Sequence, residues 1–581
     1  MRTIACPRFF LKVQQVGRPL AFALALMATM ASPSYAVDET IQAVPLGQAS
    51  VGELGALSPQ EGGFGSQWWQ NSTPEQIEAA FAMLPANPGD WSQRQLQRRL
   101  LLSPVSLPDE QAGYRLLQSR TERLEALGYP ADALRLLQSW PRDRQSSDWL
   151  WLARSTARLL NGDDGGCQEP TPLNAEVPGG EAGFLSAYCL WVKGEQSAAE
   201  VALNVLGDRQ SVATPTQPKD KADAKAQAKA KEAEANRLSL YQTVVTGQPL
   251  SPKVAGTLKG LDAALLQHAI FSDVKGVVAA GNWSMLAKLQ LLRNKTLPPD
   301  VKLMYAENLV ESGVLSAAEW QQLAAKALEG ESLPPASDPA TAAVLGRLSR
   351  VKEVLAASPN AYNDGALARA AVDLLRQSGG HWYPVYLLLQ PKLDNMLALA
   401  ETGELAPWLV AYGIRHNQAT APWLSYLPND HLNALALRAL EGWKRPQPVN
   451  ATVPAGFNNI KIDNEPLAAK LLTASFALNP DQSAPSWQAQ LLSTLAATPP
   501  KAKAEAVSTT TWLSLQAAVA QKRNGEALAG ALAMVADSSP NALPLWHSAL
   551  SGLAKLGQHE LTAQLAEAWL MDGLFDGAPS K

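Results

Sequence analysis

Cysteine is scarce in this chain, and the scarcity sets the first bounds. Three Cys in 581 residues exclude a small disulfide-stapled scaffold, which is far denser in cysteine. Gly and Pro, 39 and 41, make up about 14% of the residues, well below the ~25–30% that marks low-complexity chains. Charge is thin, at 18% against roughly 25% in average globular domains, so much of the surface is neutral. No uninterrupted apolar run reaches the length of a membrane-spanning helix. The six histidines, at positions 268, 381, 416, 431, 547 and 559, lack metal-ligand spacing.

Signatures of catalysis are missing as well. His559-Glu560 opens like a zinc-protease helix, but Ala563 stands where the second histidine belongs. The stretch from Asn161 to Gly166 has the look of a calcium loop, yet its twelfth position is Pro172 and not a bidentate carboxylate. There is no nucleophile elbow, no phosphate-binding glycine loop and no dinucleotide fingerprint. Glu311-Ser312 resembles the dipeptide that opens the catalytic domain of periplasmic lytic transglycosylases, but the Gly-Leu-Met-Gln-type segment those domains carry downstream is absent. The sequence therefore predicts no enzyme, no cofactor and no metal.

The N-terminus reads as a cleavable leader. Arg2, Arg8, Lys12 and Arg18 precede a 12-residue apolar run over residues 20–31, and Ser34-Tyr35-Ala36 supplies the small residues of a cleavage site after Ala36. Twelve residues rise only about 18 Å as a helix, too short for a ~30 Å hydrocarbon core. Removing the leader leaves 45 Lys and Arg against 53 Asp and Glu, a net charge of −8. An acidic, exported chain is a poor nucleic-acid binder. Periplasmic localisation is expected, with no membrane span after cleavage. Cys167 and Cys189 are then the remaining thiols, an even pair that favours a disulfide in an oxidising compartment.

What is abundant is helical periodicity. Thr73-Pro74-Glu75-Gln76 combines a hydroxyl cap, a proline at the first helical position and a capping-box glutamine. Tyr114, Leu117, Leu124 and Leu127 share one face and Gly128 ends that helix; a second amphipathic run follows at once, so the pair folds back as a hairpin. The same construction recurs around Gly194-Glu195, Gly525-Glu526 and Gly557-Gln558. Residues 459–463 are the one plausible extended piece.

Trp512 and Trp546 are 34 residues apart, and Leu515, Val519, Leu528, Leu532, Val535 and Pro540 fill packing positions behind the first; Ala549, Leu553 and Ala566 follow the second. This part of the chain resembles tetratricopeptide repeats, departing at Gln516 and Thr562. The resemblance implies an all-α fold of antiparallel helix hairpins stacked as a TPR-like α-solenoid. The order of leader, double tryptophan, Thr-Pro-Glu helix start and Cys-bearing hairpin is similar to that of exported helical-repeat proteins of Gram-negative bacteria.

The expected organisation is a signal peptide (1–36), a flexible lead-in (37–66), an N-terminal hairpin domain (67–207), a Lys/Ala-rich linker (208–237), a middle helical domain (238–444), a Pro/Asn-rich connection (445–466) and C-terminal TPR-like repeats (467–577). In the linker Lys221, Lys225 and Lys229 repeat at a like-charge i,i+4 spacing without an apolar face, which reads as a solvated connection.

Tryptophan is over-represented, with 17 against 11 Tyr and 10 Phe. Trp149, Trp191, Trp320, Trp512, Trp546 and Trp569 fall at helical packing positions and are assigned to the core. Trp68, Trp69, Trp382, Tyr383, Trp408 and Trp423 sit at helix starts beside Pro or Gly and are the candidate binding residues. Solenoids expose curved surfaces that hold other proteins. The expected function is a periplasmic protein–protein interaction scaffold for an envelope or secretion-machinery partner. The alternative is a peptidoglycan- or polysaccharide-binding or -processing protein.

Overall fold

The computed structural model describes residues 54–575 except 87, 89–90, 107–109, 142–147, 169–179, 213–220, 256–257, 280–282, 331, 357–364, 394–404, 417, 419, 429–430, 445–464, 479–508 and 537–541. The expected leader, the extended piece expected at 459–463 and nearly all of the expected Pro/Asn-rich connection lie outside the described residues. Among the described residues the protein is all-helical. There is no strand, only isolated β-bridges joining Leu54 to Val105 and Leu250 to Phe271.

Packed structure begins earlier than the expected end of the lead-in at residue 66. Leu54, Leu57 and Phe64 are buried, and the backbone amides of Ala56 and Leu57 donate to the Leu102 carbonyl at 2.8 and 3.0 Å. The reason is an unpaired helix end. The Trp91–Leu102 helix leaves carbonyls without intrahelical partners, and the lead-in supplies donors. Arg120, fully buried, completes the arrangement by donating to the carbonyls of Leu101, Leu54 (2.8 Å) and Ser103 (2.7 Å).

The Thr73 cap forms as expected: Thr73 N–H donates to Gln76 Oε1 at 2.9 Å and Gln76 N–H to Thr73 Oγ1 at 3.4 Å. The turns that return the chain share one chemistry. After the Glu110–Ala126 helix, Gly128 adopts φ +89° while the amides of Gly128 and Tyr129 donate to the carbonyls of Glu125 and Leu124. This is a Schellman closure, which requires a left-handed residue. Gly194, Gly313 and Gly557 repeat it with the same donor pattern.

One turn departs from the expectation. Between the Thr509–Ala520 and Asn524–Ala536 helices the left-handed position is held by Lys522 (φ +55°), and Gly525 lies inside the second helix. Gly525 serves packing instead: a Cβ there would sit 2.6 Å from the Trp69 ring. Leu515, Leu528, Leu532, Ala549, Leu553 and Ala566 are fully buried, and Trp546 stacks on Trp569 at 4.6 Å. Of the residues assigned to packing positions, Trp512 is 40% exposed and not core, Trp149, Trp191 and Val519 are half-buried, and Pro540 lies outside the described residues. The Thr509–Ala520 helix meets its main neighbours, the Asn524–Ala536 and Leu543–Lys555 helices, through Leu515 and Ala518, so Trp512 at its first turn falls outside the contact.

The expected linker is also more regular than an open connection. Lys221–Val245 is one 25-residue helix, consistent with the high helix propensity of Ala and Lys. Its later part is anchored, because Arg237 donates to Glu181 Oε2 at 2.9 Å and to Asp262 Oδ1 at 2.7 Å. The disulfide is present: Cys167 and Cys189 are bonded, tying the Asp164–Cys167 turn to the Glu181–Val192 helix with their Cα atoms 5.4 Å apart.

Contacts also join distant parts of the sequence. The Ser66–Trp69 turn and the Pro74–Met83 helix pack on the Asn524–Ala536 helix, and the Trp91–Leu102 helix packs on the His559–Leu574 helix. Arg99 donates to Gln564 Oε1 at 2.8 Å. The first described helices thus meet the last, and residues 50–581 form one compact unit.

Candidate functional site

Where these ends meet, a cleft of about 300 Å³ opens between six helices. The Trp91–Leu102 helix contributes Trp91 and Ser92, and the His559–Leu574 helix contributes Glu567 and Met571. Met285 comes from the Met285–Arg293 helix, while Asn308, Glu311 and the capping Ser312 come from the end of Pro299–Glu311. Trp382 and Tyr383 open the Trp382–Leu393 helix, and Arg415 closes Ala406–Arg415.

Glu311 owes its position to the Schellman turn behind it. Gly313 takes φ +72°, and no side chain fits there, since a Cβ would lie 2.3 Å from the Trp91 ring. That close approach brings Trp91 beside the end of the Pro299–Glu311 helix. The Gly313 carbonyl accepts from Tyr129 Oη at 3.3 Å and from Gln95 Nε2 at 3.5 Å, fixing the turn to two further helices.

Around the cleft the ionisable groups are paired. His381, from the Gly379–His381 turn, places Nδ1 2.6 Å from Glu311 Oε1. This hydrogen bond raises the imidazole pKa above its ordinary value, against the opposing effect of burial. Arg415 donates to the Glu311 carbonyl at 2.5 Å, and its guanidinium lies 4.8 Å from the Trp91 ring centre and 3.7 Å from that of Tyr383. Lys288 Nζ donates to Asn308 Oδ1 at 3.1 Å. Glu567 meets Lys444 at 2.6 Å, and burial pushes its carboxyl above the ordinary range despite that cation. Behind Glu311, the buried Glu307 accepts from two of the three guanidinium nitrogens of Arg347, Nε (2.9 Å) and Nη2.

Tyr383 Oη lies 2.9 Å from His416 Nε2. Burial, with Arg415 adding to it, pulls His416 down to about 4, and burial raises the Tyr383 phenol. Both groups are neutral near pH 7. No group of three or more His, Cys, Asp or Glu is placed to hold a metal ion among the described residues.

Of the six sequence-predicted binding residues, Trp382 and Tyr383 line the cleft. Trp408 lies nearby, stacked at 5.6 Å on Phe575, which also meets Trp382 at 5.1 Å. The others are elsewhere. Trp68 stacks on Phe64 at 4.3 Å, Trp69 is buried edge-on to Phe81 at 5.2 Å, and Trp423 is half-buried beside Gly413. Trp91, Asn308, Arg415 and Glu567 were not singled out. Trp91 follows Pro88 and Gly89 and so meets the same helix-start criterion that selected Trp382. Glu311 and Ser312, noticed only as a dipeptide motif, both face the cleft. This chain matches no protein-family model, no curated protein and no solved structure.

Proposed function

We propose that this protein is an exported, TPR-like helical scaffold that holds a component of the bacterial cell envelope without transforming it, and that the cleft is where it holds it. The observation that carries the reading is the construction of the cleft. Six helices, two from opposite ends of the described chain and four from its middle, converge on one concave, aromatic-edged space, and binding sites favour such convergence. The hairpins around Gly128, Gly194, Lys522 and Gly557 support a solenoid-like stack. The Cys167–Cys189 bond suits an oxidising compartment outside the cytoplasm.

The test is photocrosslinking in intact cells from a probe residue at Gly380, an exposed position at the cleft, with a second probe at the exposed Val201 as a remote reference. A defined envelope component captured from Gly380 and not from Val201 is expected. Capture from Val201 alone would refute the assignment of the cleft, and degradation of cell-wall sacculi by the purified protein would refute the non-enzymatic part.

A further inference from the structure

The cleft carries information about the chemistry of what it holds, an inference that rests on the binding reading above. Its charges are already spent. Glu311 is paired with His381 and Glu567 with Lys444, while the Arg415 guanidinium is engaged by the Glu311 carbonyl and by the Trp91 and Tyr383 rings. A cationic ligand seeks a bare carboxylate and an anion an uncommitted guanidinium; both carboxylates of the lining are paired, and Arg415 is already stacked and hydrogen-bonded.

What remains is neutral hydrogen-bonding capacity. Asn308 uses one amide proton on the Met304 carbonyl (3.1 Å) and one lone pair on Lys288, so a donor and an acceptor are left. The Ser312 hydroxyl donates to the carbonyls of Asn308 and Leu309 and keeps its lone pairs. Glu311 engages Oε1 with His381 and keeps acceptor capacity at Oε2. The same lining carries the Trp91 and Trp382 rings and the thioethers of Met285 and Met571. The cleft therefore joins neutral hydrogen-bonding groups to apolar and π surface.

We infer that the cleft binds a neutral saccharide, one pyranose ring filling it with its hydroxyls toward Asn308, Glu311 and Ser312 and its C–H face toward the tryptophans. A sugar ring joins these two characters in a rigid body without charge. The volume, about 300 Å³, is at the lower end of small-molecule sites and suits a single ring better than a folded protein surface.

Calorimetric titration of the purified full chain with tri-N-acetylchitotriose and with maltotriose, using free lysine and free glutamate as charged probes, tests the assignment. Saturable binding of at least one trisaccharide, and of neither charged probe, is expected. Asn308→Ala should weaken that binding by about tenfold, the order of one lost hydrogen bond, at unchanged melting temperature. Trp512→Ala, outside the cleft, should leave it unchanged. Should Asn308→Ala fail to melt cooperatively, Glu311→Gln takes its place, with a similar loss expected. Absence of sugar binding, preference for a charged probe, or full affinity in a folded cleft variant would each overturn the inference. Capture from Gly380 in cells alongside absent sugar binding would sink the saccharide assignment alone; failure of both would sink the binding reading with it.

Discussion

At the scale of single residues, two buried ionisable groups outside the cleft, Arg120 and Glu125, carry strong electrostatic commitments. Arg120 is fully buried with three backbone carbonyls as its partners, and burial pulls its guanidinium down to about 9. Those carbonyls belong to a helix end and to the lead-in that covers it, so the side chain joins two segments. Arg120→Met keeps the volume and strips the donors. The Leu54 carbonyl keeps the Val105 N–H at 3.1 Å, and each of the other two left unpaired in the interior costs about 1–3 kcal/mol, so chemical denaturation should show a loss of at least ~2 kcal/mol; a loss under about 1 kcal/mol would mean that water replaces the guanidinium freely. Glu125, on the same helix, makes a different prediction. Burial, with the charge of Glu122 adding to it, raises its carboxyl from the ordinary 4.5 to about 8. The folded state therefore holds a proton that the unfolded chain releases, and stability falls as pH rises from 4.5 toward 8. Glu125→Gln should flatten that slope and exceed the parent in melting temperature at pH 8. An unchanged pH profile in the variant would show that Glu125 ionises normally.

At the scale of elements, most turns were legible and one was not. Gly128, Gly194 and Gly557 announce helix ends because only glycine takes a left-handed backbone without cost, and each sits where the sequence placed it. Lys522 gives no such signal, so the turn was assigned to the next glycine, Gly525, which packs against Trp69. The donor pattern at Lys522 is the same closure: its amide donates to Val519 and that of Arg523 to Ala518. A left-handed lysine costs roughly 1–2 kcal/mol. Lys522→Gly should recover about 1 kcal/mol of this, after the extra chain entropy of glycine; a neutral or destabilising result in thermal melts would show that the lysine side chain makes a compensating contact. The disulfide was legible for a comparable reason, since Cys167 and Cys189 are the only cysteines beyond residue 36. Replacing both with serine should lower stability by about 3 kcal/mol on the chain-entropy account for a loop of this length. An equal melting temperature with and without reductant would contradict that. Trp382 and Tyr383 were found by the company of Pro384 and Gly380, whereas Asn308, Arg415 and Glu567 carry no local mark. Their importance comes from convergence across helices, which periodicity within one helix does not encode.

At the scale of the whole molecule, contacts between ends distinguish this protein from an open helical array. In an open solenoid each hairpin touches its neighbours, stability is close to a sum of local terms, and the terminal units fray independently. Here the Pro74–Met83 helix rests on Asn524–Ala536, with Trp69 lying over Gly525. No hydrophobic pattern in the sequence states that residues 69 and 525 meet, which is why the closure was invisible before the fold was known. Gly525→Ala tests what it is worth. In an exposed helix the change would gain up to about 1 kcal/mol of propensity. At this position the added methyl would enter a buried indole whose relative exposure is 3%, and overpacking costs typically about 1–3 kcal/mol. The clash should win, so the variant melts lower than the parent. Hydrogen exchange then locates the damage. If closure couples the ends, amides of the Pro74–Met83 helix should exchange faster in Gly525→Ala although some 440 residues of sequence lie between, while those of the disulfide-tied Glu181–Val192 helix keep their parental rates. Acceleration confined to the Asn524–Ala536 helix would mean that the two ends touch without supporting each other, and the cleft between them would then lack the rigid frame that binding a small ring requires.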